Sequence, residues 1–245
     1  MKSSEGILTG IIGIWVGIWL GAVQSGISFS TFSFSLNEYL PAIVTLLAAF
    51  LGAWFAFKLN SDKEQKIEHN INLINGNSAL FIMIMMYNNL KNYQEKVLDP
   101  ERSNSINYIS LKAINLPSDN SLQINIEILK FLLDKNPQLL FELKIEENRY
   151  NSAVGAINIR TTSHSEEMQP KLEENGFEEE KAYTATQMHE FLGNRLTGVM
   201  ISNTKEVFKH VDSTVDSLSN IIDKLREEML KTFPNETIIN FEKNS

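Results

Sequence analysis

The sequence predicts an all-α protein: a two-helix transmembrane hairpin followed by a cytoplasmic helical bundle with long antiparallel helices. Three observations predict it. No Asp, Glu, Lys, Arg or His interrupts Gly6–Asn37 or Tyr39–Phe57. From Lys58 onward, apolar residues recur in steps of three and four between runs of Lys, Glu, Asp and Asn, which is the spacing of one helix face. The one stretch that alternates like a strand, Leu122 to Ile128, has no partner strand in the sequence.

The two uncharged stretches set the first domain. Spans at about 6–23 and 39–57 each approach the roughly 17–25 residues that cross about 30 Å of hydrocarbon, so residues 1–58 form the hairpin. A cleaved signal peptide fits the first stretch poorly: Lys2 is offset by Glu5, and the apolar run is long and rich in Gly and Trp. Lys2 precedes the first span, Lys58, Lys63 and Lys66 follow the second, and the connection from Gln24 to Glu38 has no Lys or Arg. Basic residues stay on the cytoplasmic side, so both termini are predicted in the cytoplasm. Phe29, Phe32 and Phe34 alternate with serines in the short outer loop and suit its interface with lipid.

Gly13, Gly17 and Gly21 recur every four residues on the first span, and Ala49, Gly52 and Ala53 offer small side chains on the second. Small residues one turn apart let helix backbones approach closely in lipid. They either pack the hairpin against itself or join neighbouring copies. No charged or amide side chain lies within a span, so neither helix alone lines a selective ion path.

Residues 59–245 form the helical domain. No Gly or Pro follows Phe57 until Gly76, so the second span runs on as one helix, with Ile67, Ile71 and Ile74 at helical spacing. Ala79 to Tyr87 is apolar on every side and too short to cross a bilayer, as a core helix would be. This helix is expected to end near Asp99-Pro100, before a loop from Glu101 to Asn120 that holds at most a short helix. Leu122, Ile126, Leu129 and Leu133 fit a helix better than a strand, given helices on both sides. Asn136-Pro137 opens the next helix as cap and first residue, and Leu139, Leu140, Leu143, Tyr150, Val154 and Ile157 give its inward face.

From about 161 to 186 the pattern fails. Seven glutamates between Glu166 and Glu180, with Pro170 and Gly176 among them, read as a solvated acidic linker or frayed helix ends, or as a contact surface for a basic partner. The last helix is expected from near Thr186 to just before Pro234. Phe208, Val211, Val215, Leu218, Ile222, Leu225 and Met229 form a heptad seam that Ile201 and Thr204 extend backward and Ile221 widens. It serves either an intramolecular bundle or an intermolecular coil.

Chemistry is scarce. The chain has 245 residues, a formal net charge of −8 and no cysteine, which excludes thiolate nucleophiles, disulfides and Cys-based zinc sites. With no basic stripe, an acidic body repels nucleic acid. Phosphate-binding, dinucleotide, hydrolase, kinase and deaminase signatures are absent, so no catalytic residue, cofactor or metal site is predicted, and the chain reads as non-enzymatic. Glu206 and His210 are one turn apart but lack a third ligand, and His69, His164 and His189 have no rigid companions. Arg149, Arg160 and Arg195 stand out on helices. A buried one would pair with Glu146 or Glu190, or grip an anionic ligand, and an exposed one needs no role.

In layout, a glycine-zipper hairpin over roughly the first quarter and then a helical cytoplasmic body, the chain resembles the small two-transmembrane effectors of bacterial anti-phage systems associated with retrons or cyclic-nucleotide signalling. The resemblance implies damage to the inner membrane once a cytoplasmic trigger releases or clusters the effector. Its partners would be the lipid bilayer and either further copies of the chain or a cytoplasmic protein. Gly13, Gly17 and Gly21 would then pack neighbouring protomers, and the seam from Phe208 to Met229 would hold the assembly. A passive anchor or scaffold for a cytoplasmic partner is the other reading of the same layout.

Overall fold

The computed structural model describes residues 36–117, 122–178, 181 and 183–241, and every regular element among them is helical. The first predicted span, with Gly13, Gly17 and Gly21, and most of the loop after it lie outside these residues. The chain divides into two compact units, Met1–Lys63 and Glu64–Ser245.

The described part of the first unit belongs to helix α1, Leu36–Tyr93. Pro41 lies near its start and removes one backbone donor. The Thr45 hydroxyl donates to the Pro41 carbonyl at 2.8 Å. Between Ile43 and Leu59 every residue is exposed, including Leu46 at 71% and Phe57 at 69%. Ala49, Gly52 and Ala53 are exposed too, and a Cβ added to Gly52 would meet nothing within 4 Å. Of the predicted two-span hairpin, the described residues therefore contain one helix long and apolar enough to cross a membrane.

The second unit is a bundle of three long helices: α1 from Glu64 onward, α4 (Pro137–Thr162) and α6 (Ala185–Thr232). Three shorter ones, α2 (Asn107–Ser110), α3 (Phe131–Lys135) and α5 (Gln169–Glu174), lie between them. α4 and α6 run antiparallel, as their cross-links show. Asn136 Nδ2 donates to Glu228 at 3.2 Å, Lys224 pairs with Glu142 at 2.8 Å, and Asn203 Nδ2 donates to Ser163 at 3.2 Å.

The expected α4 start is observed. The Asn136 side chain accepts the Leu139 N–H at 3.1 Å, which satisfies one of the free donors of a helix start, and Pro137 stands in the first turn. Leu139, Leu140, Leu143, Tyr150, Val154 and Ile157 are all buried. They meet the inner face of α1 (Ala79, Leu80, Met83, Met86, Leu90) and the seam of α6, whose Val211, Val215, Leu218, Ile222, Leu225 and Met229 are buried and Phe208 partly so. The seam thus closes the core of its own chain. Gly76 allows a close approach: a Cβ there would collide with the end of the Met229 side chain.

Four expectations change. α1 does reach Asp99-Pro100, but its last turns slacken into a π-turn, Gln94–Leu98, and a 3₁₀ turn, Asp99–Glu101. The Ala79–Tyr87 run is not buried all round, because Phe81 is 56% exposed. The 122–133 stretch is not one helix: it is irregular to Asn125, then a 3₁₀ turn, Ile126–Leu129, then α3. Side chains of α4 take the place of a partner strand or helical turn there. Glu147 accepts the Ile124 N–H at 3.0 Å, and in the preceding loop the Asn158 amide bonds both the N–H and the carbonyl of Leu116.

The fourth change is in the acidic stretch. α4 continues into a π-turn, Ser163–Met168, and then α5, with Pro170 at its start. Met168 and Leu172, one turn apart, are buried and anchor it against Met188, Leu192, Leu196 and Met200. α6 is interrupted at Gly193, whose φ of 72° and ψ of 161° suit glycine alone. A capping box at Thr184 and Gln187 starts its first segment.

Candidate functional site

Two features of the described residues need an explanation beyond packing. The first is the polar group around Arg160. α4 carries this side chain inward, three residues before the Ser163 that Asn203 of α6 bonds, and it has no exposed surface at all. One guanidinium nitrogen donates to the Tyr108 carbonyl at 3.4 Å, a long bond, and Nε and Nη1 have no partner. The Tyr93 hydroxyl, His164 Nδ1 and the Thr197 and Thr204 hydroxyls are also buried without partners.

Electrostatics follows from this burial. Desolvation lowers the Arg160 pKa to about 10, and the nearby Tyr93 and Glu101 only partly oppose it. The same burial pushes the Tyr93 phenol up to about 12. His164 is held below its ordinary value, first by burial and then by the Arg160 charge, against a hydrogen bond to the Ile109 backbone. An imidazole so placed is neutral at pH 7. A cavity of 630 Å³ lies on the outer side, lined by His164, Lys112, Gln169, Glu173, Leu172 and Phe177 among others. Arg160 does not line it. Closed off in this way, the guanidinium reaches from α4 to α2 by that single long bond, with the unpaired Tyr93 phenol of α1 nearby. Such a charge is retained at a cost, since an apolar replacement of similar size is often neutral or stabilising.

The other sequence candidates separate. Arg149 pairs with Glu146 at 3.1 Å on the rim, and Arg195 pairs with Glu167 at 3.0 Å, not with Glu190. Glu146 also accepts the Ser217 hydroxyl, and Glu147 is held by Lys144 at 2.6 Å, so both buried carboxylates are engaged. Glu206 and His210 lie 3.4 Å apart on the exposed side of α6. His189 bonds Asn194 at 2.6 Å across the Gly193 break, and His69 meets Glu236 at 3.3 Å. One contact had no sequence signal. Arg102 grips Asp212 with bonds of 2.6 and 2.8 Å, reaches Asp99 at 2.7 Å and lies over the Phe208 ring. Only the fold brings positions so distant in sequence together.

The second feature is the apolar helix surface. Ile43, Val44, Leu47, Phe50, Leu51 and Trp54 project along one face of α1 at 46–57% exposure, and Leu46, Phe55 and Phe57 stand exposed beyond that face. Lys58 reaches back over the Trp54 ring, 5.7 Å from its centre, as a basic residue does at the end of an apolar span. Further along, Ile67, Ile71, Ile74 and Phe81 remain 48–63% exposed on one stripe. Comparison with protein-family models, with curated proteins and with solved structures gives no match.

Proposed function

We propose that this protein is a membrane-anchored, non-enzymatic effector of the bacterial inner membrane, of the kind its layout resembles. Its apolar hairpin perturbs the bilayer when the cytoplasmic helical bundle receives a trigger, and both termini face the cytoplasm. One observation carries the reading: the stretch from Ile43 to Phe57 is apolar around its whole circumference and uncovered by any described residue. Water opposes exposure of so large a continuous apolar surface, and lipid accepts it, because a helix satisfies its own backbone hydrogen bonds.

The groups best suited to chemistry support the non-enzymatic part. Arg160 is sealed from solvent, and Glu146 and Glu147 are each bonded on two sides. The test is expression of the full chain in bacteria with a voltage-sensitive dye, beside Gly17→Leu. Depolarisation by the parent and its loss in the variant is the expected result. Equal toxicity of both, or growth arrest with the potential intact, rejects the effector reading. A stoichiometric partner recovered with the bundle, together with tolerance of an unrelated hairpin, would select the scaffold reading instead.

A further inference from the structure

Because the α6 seam is used up inside its own chain, any coil between copies must come from elsewhere. The stripe on α1 has the right spacing. Ile67, Ile71, Ile74, Ser78 and Phe81 follow in steps of four, three, four and three, which are heptad positions d, a, d, a and d. They face away from the bundle core, which α1 meets with Gly76, Ala79, Leu80 and Met83. The stripe lies open between two flanks. Asn75 is bonded to the Ile128 carbonyl on one side, and Asn77 to Thr237 and Ile239 of the C-terminal tail on the other.

We infer that this stripe is where a second copy of the same chain docks, as a short parallel coil of α1 on α1. Three observations choose that occupant. First, Ile74, Asn77, Ser78 and Phe81 are the four residues that form the hole for one knob in a parallel pair. They line, with Ile82 and Ile239, a hollow of 390 Å³. Helical side chains lean toward the N-terminus, so each Phe81 covers the partner's Ser78, where a small residue leaves room.

Second, Lys63 stands at g and Glu68 at the following e, the pair that bridges parallel helices, and neither is in an ion pair among the described residues. Glu64, one turn nearer the span, ends the apolar run. Third, and resting on the membrane reading above, copies inserted with one topology bring the residues that follow the span out of the same face of the bilayer. That enforces the parallel direction. The stripe from Ile67 to Phe81 is only about 21 Å of helix, too short to pair from dilute solution, and confinement to a membrane raises its effective concentration.

The chain lacks cysteine, so single-cysteine variants of the full-length protein read the contact directly. Membranes carrying Ile71→Cys or Ile74→Cys are oxidised beside Gln65→Cys and Lys66→Cys, which are exposed on the opposite side of the helix. The inference expects disulfide-linked dimer from the first two at about tenfold or more the yield of the last two. It also expects Ile71→Glu to remove the Ile74→Cys dimer. Equal yields at all four positions, indifference to Ile71→Glu, or cross-linking to a different protein overturns it. Carbonate extraction of the same samples keeps the two readings apart. A chain that stays in the pellet without a stripe-specific dimer overturns the docking inference and leaves the membrane reading standing. A chain released by carbonate rejects the membrane reading, and the stripe is then judged by the same four yields in the supernatant.

Discussion

Val211, Val215, Leu218, Ile222 and Leu225 on α6 recur in steps of three and four, as do Ile67, Ile71 and Ile74 on α1, with Phe81 seven residues further on the same stripe. The first set is at most 5% exposed, and the second is 48–63% exposed. The difference lies in what each helix offers on its other side. α6 backs its seam with Asp, Lys, Ser and Glu, so one face alone wants cover. α1 is apolar on both sides only from Leu73 to Phe81, where the core takes Leu73, Ala79 and Leu80 and leaves Ile74 and Phe81 exposed. A periodic apolar stripe therefore identifies a face that seeks a partner and does not say which partner it finds.

The largest expected effect tests this contrast. Leu218→Ala deletes a side chain with no exposed surface and should cost about 2–5 kcal/mol, whereas Ile74→Ala should stay within about 0.5 kcal/mol in dilute detergent solution. Denaturant titrations followed by circular dichroism would decide, and equal losses would break the comparison. The break in α6 sharpens it. Gly193→Ala places a side chain at φ 72° and ψ 161°, so it should destabilise by about 1–3 kcal/mol where an ordinary helical glycine would gain. Hydrogen exchange should show the loss mainly in Ala185–Met200. A neutral result would mean that this part of α6 straightens readily.

The buried polar group separates the two apolar clusters, and its prediction concerns pH. Tyr93 has a raised pKa, so its contribution is intact below about 10 and is lost as pH climbs toward about 12. Arg160 has a lowered pKa, so the native state sheds its proton first and stability rises above about 10. The two oppose each other over one window. Relative to the parent, the melting temperature of Tyr93→Phe should drift upward with pH between about 10 and 12, and that of Arg160→Met downward. Parallel melting curves for all three proteins would show that the groups are not buried together.

The smallest effect belongs to the Arg102–Asp212 contact. Both side chains are more than a third exposed, so Asp212→Asn should lower stability by less than about 1 kcal/mol, and less still in molar salt. Arg102 holds the Asp212 carboxyl below its ordinary value. Its share is therefore present at neutral pH and is lost as pH falls through that lowered value. A large, salt-independent loss would show instead that the π-turn at Gln94–Leu98 depends on this clamp.

Much of the helical layout was legible from local patterns. Asn136-Pro137 announced the start of α4, since an amide cap and a residue without an N–H suit a helix start. Steps of three and four marked the inner faces of α4 and α6 residue by residue. The glutamate-rich segment was misread because composition outweighed Met168 and Leu172, whose value as anchors depends on Met188 and Leu192 some twenty residues away. The polar group was legible only as a suspicion about three arginines. Which of them is buried depends on the antiparallel register of α4 and α6, and no local spacing encodes that.

The sequence by itself determined where the three long helices form, which of their faces are apolar, and that the stretch from Ile43 to Phe57 repels water. Those properties belong to single elements, set by backbone propensity and side-chain order. Only the tertiary structure decided that the α6 seam is consumed within the chain, that Arg160 alone of its kind is buried, and that the outer face of α1 stays open. These outcomes depend on competition: a bundle has a limited number of inward faces, and packing geometry decides which apolar stripes occupy them.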